Sequence, residues 1–178
     1  QSQVAKDVQR VIEVGDQLGL TLNISKCELI ANTGVLVNDP LLRRFQRVDV
    51  GASILLGAPL FPGQTLDTFW SKRCDEMSRA VDRLSKIASQ DALILLRASF
   101  SAPRVQHLMR CSPSVDNRNL VTFDDLLRSA LTRITNCNLS DSQWLQASLT
   151  IREGGLGVRR VSTLALPAYL ASAASTLS

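Results

Sequence analysis

Apolar positions along this chain follow two periods, and the change between them divides it. Val4, Val8, Val11, Ile12 and Leu18 recur at helical spacing, so an N-terminal helix is expected, weakened or ended by Gly15 and Gly19. Two short apolar runs follow, 20–23 and 27–31, separated by the polar Ile24-Ser-Lys26; they read as short strands. Residues 32–44 read as a loop with Asn38-Asp39-Pro40 as its turn. The stretch 48–61, with Gly51 and Gly57 inside it and Pro62-Gly63 closing it, predicts a hairpin or strand pair. From Thr65 the period becomes helical: Trp70, Cys74, Met77, Val81, Leu84 and Ala88 form one stripe over 65–88. A second helix is expected from Ser89 to Arg97 or beyond, interrupted or kinked by Pro103. Thr122 with Asp125, and Ser140 with Gln143, each have capping-box spacing and predict two further helix starts. Gly154-Gly-Leu-Gly157 breaks the chain, and an Ala-rich helix lies between 162 and 177, with Pro167 leaving its start open. The expected fold is mainly α with a small antiparallel β element near the N-terminus. Three regions are expected: 1–63, 64–116 and 117–178.

With 178 residues and 45% hydrophobic content, the chain has enough apolar surface for one good core or two small ones. No apolar run approaches the ~20 residues of a membrane span, and no signal-peptide pattern opens the sequence. The beginning on Gln and the end inside an Ala/Ser/Leu stretch read as a piece of a longer polypeptide. Cys27, Cys74, Cys111 and Cys137 stand far apart with no CxxC pair, which argues against a zinc site or a disulfide framework and for free thiols. The chain is therefore expected to be intracellular, in nucleus or cytoplasm, with no membrane partner.

The net charge of +4 is unevenly placed. Residues 41–110 hold eleven Lys/Arg against six Asp/Glu, and the rest nine against ten, so the positive excess sits in the middle of the chain. A localised basic excess favours polyanionic partners. On the 65–88 helix, at about 100° per residue, Lys72, Arg79, Arg83 and Lys86 fall within about 60° of one another, opposite the apolar stripe. One face can dock on a core while the other presents four cations to successive phosphates. The same face also offers Asp75–Arg79 and Asp82–Lys86 at i,i+4, pairs that would make it an ordinary solvated surface.

Catalytic candidates are few, and none completes a site. His107, the single histidine, has no nearby partner for a triad or a metal and reads as a structural residue. Gly154-Gly-Leu-Gly157 lacks the spacing of a dinucleotide fingerprint and is not followed by the Lys-Ser/Thr of a P-loop, so it reads as a tight turn. Asp124-Asp125 would lie in a first helical turn and read as capping acids. Two-metal phosphoryl transfer needs carboxylates converging on ions ~4 Å apart, and no strand-turn motif offers them. No catalytic residue, metal ligand or cofactor site is expected in this chain.

The segment Gly19-Leu-Thr-Leu-Asn-Ile-Ser-Lys-Cys-Glu28 resembles the Gly-Leu-x-Leu-Asn-x-x-Lys motif of reverse transcriptases, especially those of non-LTR retrotransposons. Leu55-Leu-Gly-Ala-Pro-Leu60 is similar to that family's primer-grip hairpin, and the helical stretch from Trp70 to Leu108 resembles its thumb. Gln143-Trp-Leu-Gln-Ala147 followed by Gly154-Gly-Leu-Gly157 resembles the connector behind the thumb.

The resemblance implies a post-catalytic palm end over 1–63, a thumb-like region over 64–116 and a connector over 117–178. It implies that Asn23 and Lys26 lie near the incoming nucleotide, that Leu56 and Gly57 face the primer, and that Lys72, Arg79, Arg83 and Lys86 contact nucleic-acid phosphates. The family's metal-binding aspartates lie upstream of its Gly-Leu-x-Leu-Asn motif, and no Asp-Asp pair lies in the eighteen residues before Gly19. The implied role is thus the C-terminal portion of an RNA-directed DNA polymerase, inactive alone, that grips an RNA/DNA primer–template duplex. Its further partner would be the upstream catalytic palm of the same polypeptide, and Mg²⁺ is implied for that parent enzyme. The alternative is a helical protein-interaction or scaffold module derived from a retroelement, without nucleic-acid binding.

Overall fold

The computed structural model describes residues 2–32, 34 and 36–176, and of Ser2 the backbone only. The fold is mainly helical, and the chain divides into two compact units, Gln1–Ser53 and Ile54–Ser178. The division falls at the start of the Leu56–Gly57 hairpin rather than at 63. The stretches expected as separate regions, 64–116 and 117–178, share one core. Among the described residues no helix is long and apolar enough to cross a membrane.

In the first unit, helix α1 (Ser2–Gln17) ends where Gly15 and Gly19 were expected to end it. The amides of Leu18 and Leu20 both bond the Gly15 carbonyl, and Gly19 takes φ +73°. The two adjacent strands expected at 20–23 and 27–31 do not pair. Ile24–Lys26 instead closes a 3-10 turn, with Lys26 N–H donating to the Asn23 carbonyl and Cys27 N–H to that of Ile24. Only β1 (Glu28–Ile30) is extended, and its partner is β2 (Gln46–Val48), running parallel in the register Glu28 to Gln46. A parallel pair requires a long connection, supplied here by the loop that includes the Leu42–Arg44 3-10 turn. Residues 33 and 35 of that loop lie outside the described residues. Ala5 and Leu42 are buried, whereas Val4, Val11 and Leu18 of the expected apolar stripe are exposed, as is Val14 of α1.

The second unit opens with the antiparallel hairpin β3 (Ile54–Leu55) and β4 (Ala58–Pro59). Helix α2 (Gln64–Leu84) buries Trp70, Cys74, Met77, Val81 and Leu84 of the stripe read from the sequence, together with Leu66, whereas Ala88, the expected last member, is exposed beyond the helix. The helix stops at Leu84, short of the expected 88, because the Ser85 hydroxyl turns back onto the Asp82 carbonyl and the Lys86 amide bonds Arg83 in a closing turn. Helix α3 (Ser89–Leu95) runs into a π turn, Leu96–Phe100. Pro103 does not kink a continuing helix. It sits in the first turn of α4 (Ala102–Cys111), where its missing N–H costs nothing.

Helix α5 (Asn119–Thr135) packs against α2, and α4 packs against α7 (Val161–Thr176). Between them α6 (Asp141–Ser148) begins with the expected capping box: Gln143 N–H donates to Ser140 Oγ, and Ser140 N–H to Gln143 Oε1. The core is continuous through these helices, around Trp70, Leu96, Met109, Phe123, Leu127, Leu131 and Val158. Pro167 lies inside α7 rather than at its start. The expected last residue of that helix, Leu177, is outside the described residues.

Two sequence expectations on α5 are corrected. The helix begins at Asn119, ahead of Thr122, so Thr122 and Asp125 are within it and do not form its cap. Asp124 does not serve its own helix. It is buried, and its carboxylate accepts bonds from Val161 N–H (2.6 Å), Ser162 N–H (3.2 Å) and the Ser162 hydroxyl, capping the first turn of α7. Burial pushes the Asp124 carboxyl above the ordinary carboxylate value, against the pull of the Ser162 and Val161 bonds and of Arg160. A carboxyl raised in the folded state holds its proton there at pH values where the unfolded chain has released it. Its contribution is therefore greatest below the ordinary carboxylate range and falls as pH rises through the raised value. Urea unfolding across that window should show this fall in the wild type, and Asp124→Asn should lack it while being less stable throughout.

Candidate nucleic-acid interface

The solvent face of α2 carries the basic residues singled out from the sequence. Lys72, Arg79 and Arg83 are exposed, within about 40° of one another around the helix and spread over about 16 Å of its length. Lys86 is also exposed but lies past the end of the helix, so the expected row of four becomes three on the helix and one in the turn behind it. The local pairs Asp75–Arg79 and Asp82–Lys86 are absent. Asp82 pairs instead with Arg133 of α5 at 2.7 Å, and among the described residues none of the four cations forms an ion pair.

The π turn packed against α2, with Arg104 reaching over from α4, turns part of this face into a cleft of about 190 Å³. Its walls are Arg79, Arg83, Arg104 and Glu76, and its floor is Met77, Ala80 and Phe100. Glu76 is the one acid in it. Its Oε2 accepts from Arg73 Nη1 at 2.7 Å and Arg104 Nη2 at 2.9 Å. Burial alone would raise the Glu76 carboxyl, but the bonds and charges of Arg73 and Arg104 outweigh it and hold the group below the ordinary carboxylate value. Arg104 is thus partly committed, while the Arg79 and Arg83 guanidiniums remain open to an incoming anion. Two uncommitted planar forks side by side are suited to phosphate oxygens. Lys72 stands apart from this cleft, in a shallower one beside Asp67, Asp75 and Arg118.

The Leu56–Gly57 turn is held differently. Both residues have positive φ (50° and 80°), the type I′ geometry of a two-residue hairpin. Gly57 meets nothing within 4 Å where a Cβ would stand, so its backbone is open on that side. Leu56 is 86% exposed, and its carbonyl lies 3.1 Å from His107 Nε2 of α4. With Cys111 Sγ near Nδ1 at 3.6 Å, the ring carries its proton on Nε2, donates to Leu56 and accepts from the thiol. His107 is therefore the tether of the hairpin tip, as expected of a structural histidine.

Asn23 and Lys26 belong to the first unit. Asn23 Oδ1 accepts from the Ser25 hydroxyl at 2.6 Å and its carbonyl accepts from Lys26 N–H, so it shapes the 3-10 turn that presents Lys26. Lys26 is exposed. All four cysteines are free thiols; Cys74 is buried, and desolvation, aided by Asp75, pushes it up to about 11. Among the described residues no three His, Cys, Asp or Glu side chains converge as a metal site requires.

The sequence did not single out Glu76, Phe100 and Arg104 as a group. Arg104 lies within the basic stretch 41–110, but only helix packing brings it to Glu76, 28 positions away. No protein-family model matches the chain, no curated protein matches it, and no solved structure matches it. The structure thus defines a mainly helical chain with an uncommitted basic face.

Proposed function

We propose that this chain is the post-catalytic palm end, thumb and connector of an RNA-directed DNA polymerase of the non-LTR retrotransposon type. Its role is to hold the primer–template duplex through the solvent face of α2. The observation that carries the reading is that Lys72, Arg79, Arg83 and Lys86 are exposed and in no ion pair among the described residues, with Glu76 and Asp82 engaged by other arginines. A rod with its apolar side in a core and a row of open cations outside tracks a phosphate backbone without reading sequence. The hairpin adds support. A leucine in the left-handed region at a solvent-exposed tip gains no burial, and backbone strain of this kind, roughly 1–3 kcal/mol, concentrates at functional sites. Val4, Val11, Val14 and Leu18, exposed along α1, are what a helix packed on an upstream palm of the same polypeptide would present. In this reading the chemistry and its Mg²⁺ ions belong to that palm, and this chain alone is inactive.

The test is the salt dependence of RNA/DNA duplex binding, followed by fluorescence anisotropy. Four phosphate contacts give a slope of log K against log salt of about −3 to −4. The Lys72→Ala/Arg83→Ala pair should reduce its magnitude by about 2 without changing the circular dichroism, since both side chains are exposed. Glu76→Gln, which removes the only acid from the arginine cleft, should tighten binding by roughly two- to fivefold. Binding that ignores salt, or a slope the double variant leaves unchanged, would overturn the duplex grip in favour of a scaffold module.

A further inference from the structure

A second cavity, which shares no lining residue with the arginine cleft, has no part in the duplex grip. It encloses about 320 Å³ between the π turn, α4 and α7, a size within the range of small-molecule sites. Arg97 and Arg159 line it, both half-buried, and among the described residues neither forms an ion pair. Arg73 and Arg128 are similarly half-buried, and each is bonded to a carboxylate. Arg160, also half-buried, forms no ion pair among the described residues either, so what distinguishes this cavity is that two partly desolvated guanidiniums line it and no acid does. The position of Arg97 is set by its packing. A Cβ at Gly157 would stand 2.8 Å from Arg97 Cδ, so the glycine makes room for the arginine stem to lie against the connector backbone. The π turn, a geometry that recurs at functional sites, carries Arg97 itself.

The rest of the lining narrows the ligand. Met109, Leu164 and Ala168 make an apolar floor, with a thioether suited to an aromatic face, and the exposed Gln106 stands at the rim with an amide able to meet a base edge. Two guanidiniums match a phosphate dianion in charge and fork geometry. A long-chain carboxylate would use the floor but brings a single negative charge to two cations, and inorganic phosphate would leave the floor bare.

We infer that the Arg97/Arg159 cavity binds one nucleoside monophosphate unit, either free or as the 5′-phosphorylated end of a strand. The phosphate lies between the arginines, and the nucleoside lies over Met109, Leu164 and Ala168. This site is independent of the duplex grip on α2 and does not require it.

Isothermal titration of the full chain tests the inference with adenosine 5′-monophosphate, adenosine and inorganic phosphate. A 5′-phosphorylated and a 5′-hydroxyl dinucleotide form the second arm. The monophosphate, the phosphorylated dinucleotide or both should bind at least about tenfold more tightly than the matching unphosphorylated probe and than inorganic phosphate. Which of them binds tells the free nucleotide from the strand end. Arg97→Ala and Arg159→Ala should each weaken binding about tenfold or more, while Arg79→Ala/Arg83→Ala should leave it unchanged. Gln106→Glu, an exposed change that does not touch the core, sets a carboxylate at the rim and should also weaken it, so the inference stays testable if an arginine variant misfolds. Equal binding of phosphorylated and unphosphorylated probes, indifference to Arg159→Ala and Gln106→Glu, or loss of binding in the Arg79/Arg83 variant would each overturn it.

Discussion

Trp70→Ala is expected to destabilise the helical unit by about 3–5 kcal/mol, the cost of deleting a fully buried large aromatic ring. Trp70 is 0% exposed and stands mid-way along the buried face of α2, with its ring edge-on to Phe123 of α5 at 6.3 Å between centroids. Alanine leaves a void at the α2–α5 contact, which the flanking helices, tied through the same core, can close only in part. A polar chain also runs from this ring to the hairpin. Trp70 Nε1 donates to Ser114 Oγ at 3.0 Å, Ser114 Oγ donates to the Ser112 carbonyl at 3.2 Å, and Ser112 Oγ donates to the Pro59 carbonyl of β4 at 2.6 Å. Loss of the indole frees the first link and with it the support of the strand behind the Leu56–Gly57 turn. For a chain of this size the midpoint of thermal unfolding should fall by roughly 10 °C or more. Trp70→Phe keeps most of the volume and deletes the N–H bond with a small part of the ring, and should cost about 1–2 kcal/mol. Equal loss in the two variants, measured by urea unfolding, would show that the hydrogen bond and not the packing dominates; a loss below about 1 kcal/mol in Trp70→Ala would contradict the packing account.

What could be read from the sequence was what is written locally. The stripe on α2 repeats at its own period, so both the buried Trp70, Cys74, Met77, Val81 and Leu84 and the exposed Lys72, Arg79 and Arg83 opposite them were placed correctly. The Ser140–Gln143 capping box was legible for the same reason: both partners lie within one turn. The errors came where the partner is distant. Asp124 carries a first-turn signature, yet its hydrogen bonds are 37 positions away at the start of α7, and nothing in its neighbourhood says so. β1 takes its partner from 46–48 rather than from the nearer 20–23, since Asn23 and Ser25 use their polar groups to close a turn. The i,i+4 acids beside Arg79 and Lys86 were plausible partners by spacing alone. Arg133, brought across from α5, takes Asp82, and this leaves Lys86 uncommitted. The cleft at Arg79 and Arg83 therefore depends on tertiary packing, though its cations were visible beforehand.

Gly155→Ala should be comparably damaging, by about 3–5 kcal/mol, through a backbone collision rather than a cavity. A Cβ on residue 155 would stand 2.2 Å from the Leu149 carbonyl oxygen, 2.5 Å from its carbon and 2.7 Å from the Gln146 oxygen. All three are backbone atoms at the end of α6, so no side-chain rotation relieves the contact. The approach is close because the glycine turn satisfies carbonyls left open by the end of that helix: Gly155 N–H bonds Thr150, Leu156 N–H bonds Ala147 and Gly157 N–H bonds Leu149, at 2.9–3.0 Å. Gly154 is the internal control. It has φ +81° but only the Gln146 amide nitrogen near its Cβ position, at 3.5 Å, so Gly154→Ala carries backbone strain alone and should cost about 1 kcal/mol. This order, measured by chemical unfolding, follows from Gly154-Gly-Leu-Gly157 being a packed turn against α6; equal costs at 154 and 155 would contradict it. The displacement should also reach the second cavity, since Gly157, two positions on, makes room for Arg97. A residual folded population of Gly155→Ala should therefore bind adenosine 5′-monophosphate more weakly than the wild type, while its α2 arginines, which line a separate cleft, keep their affinity for duplex.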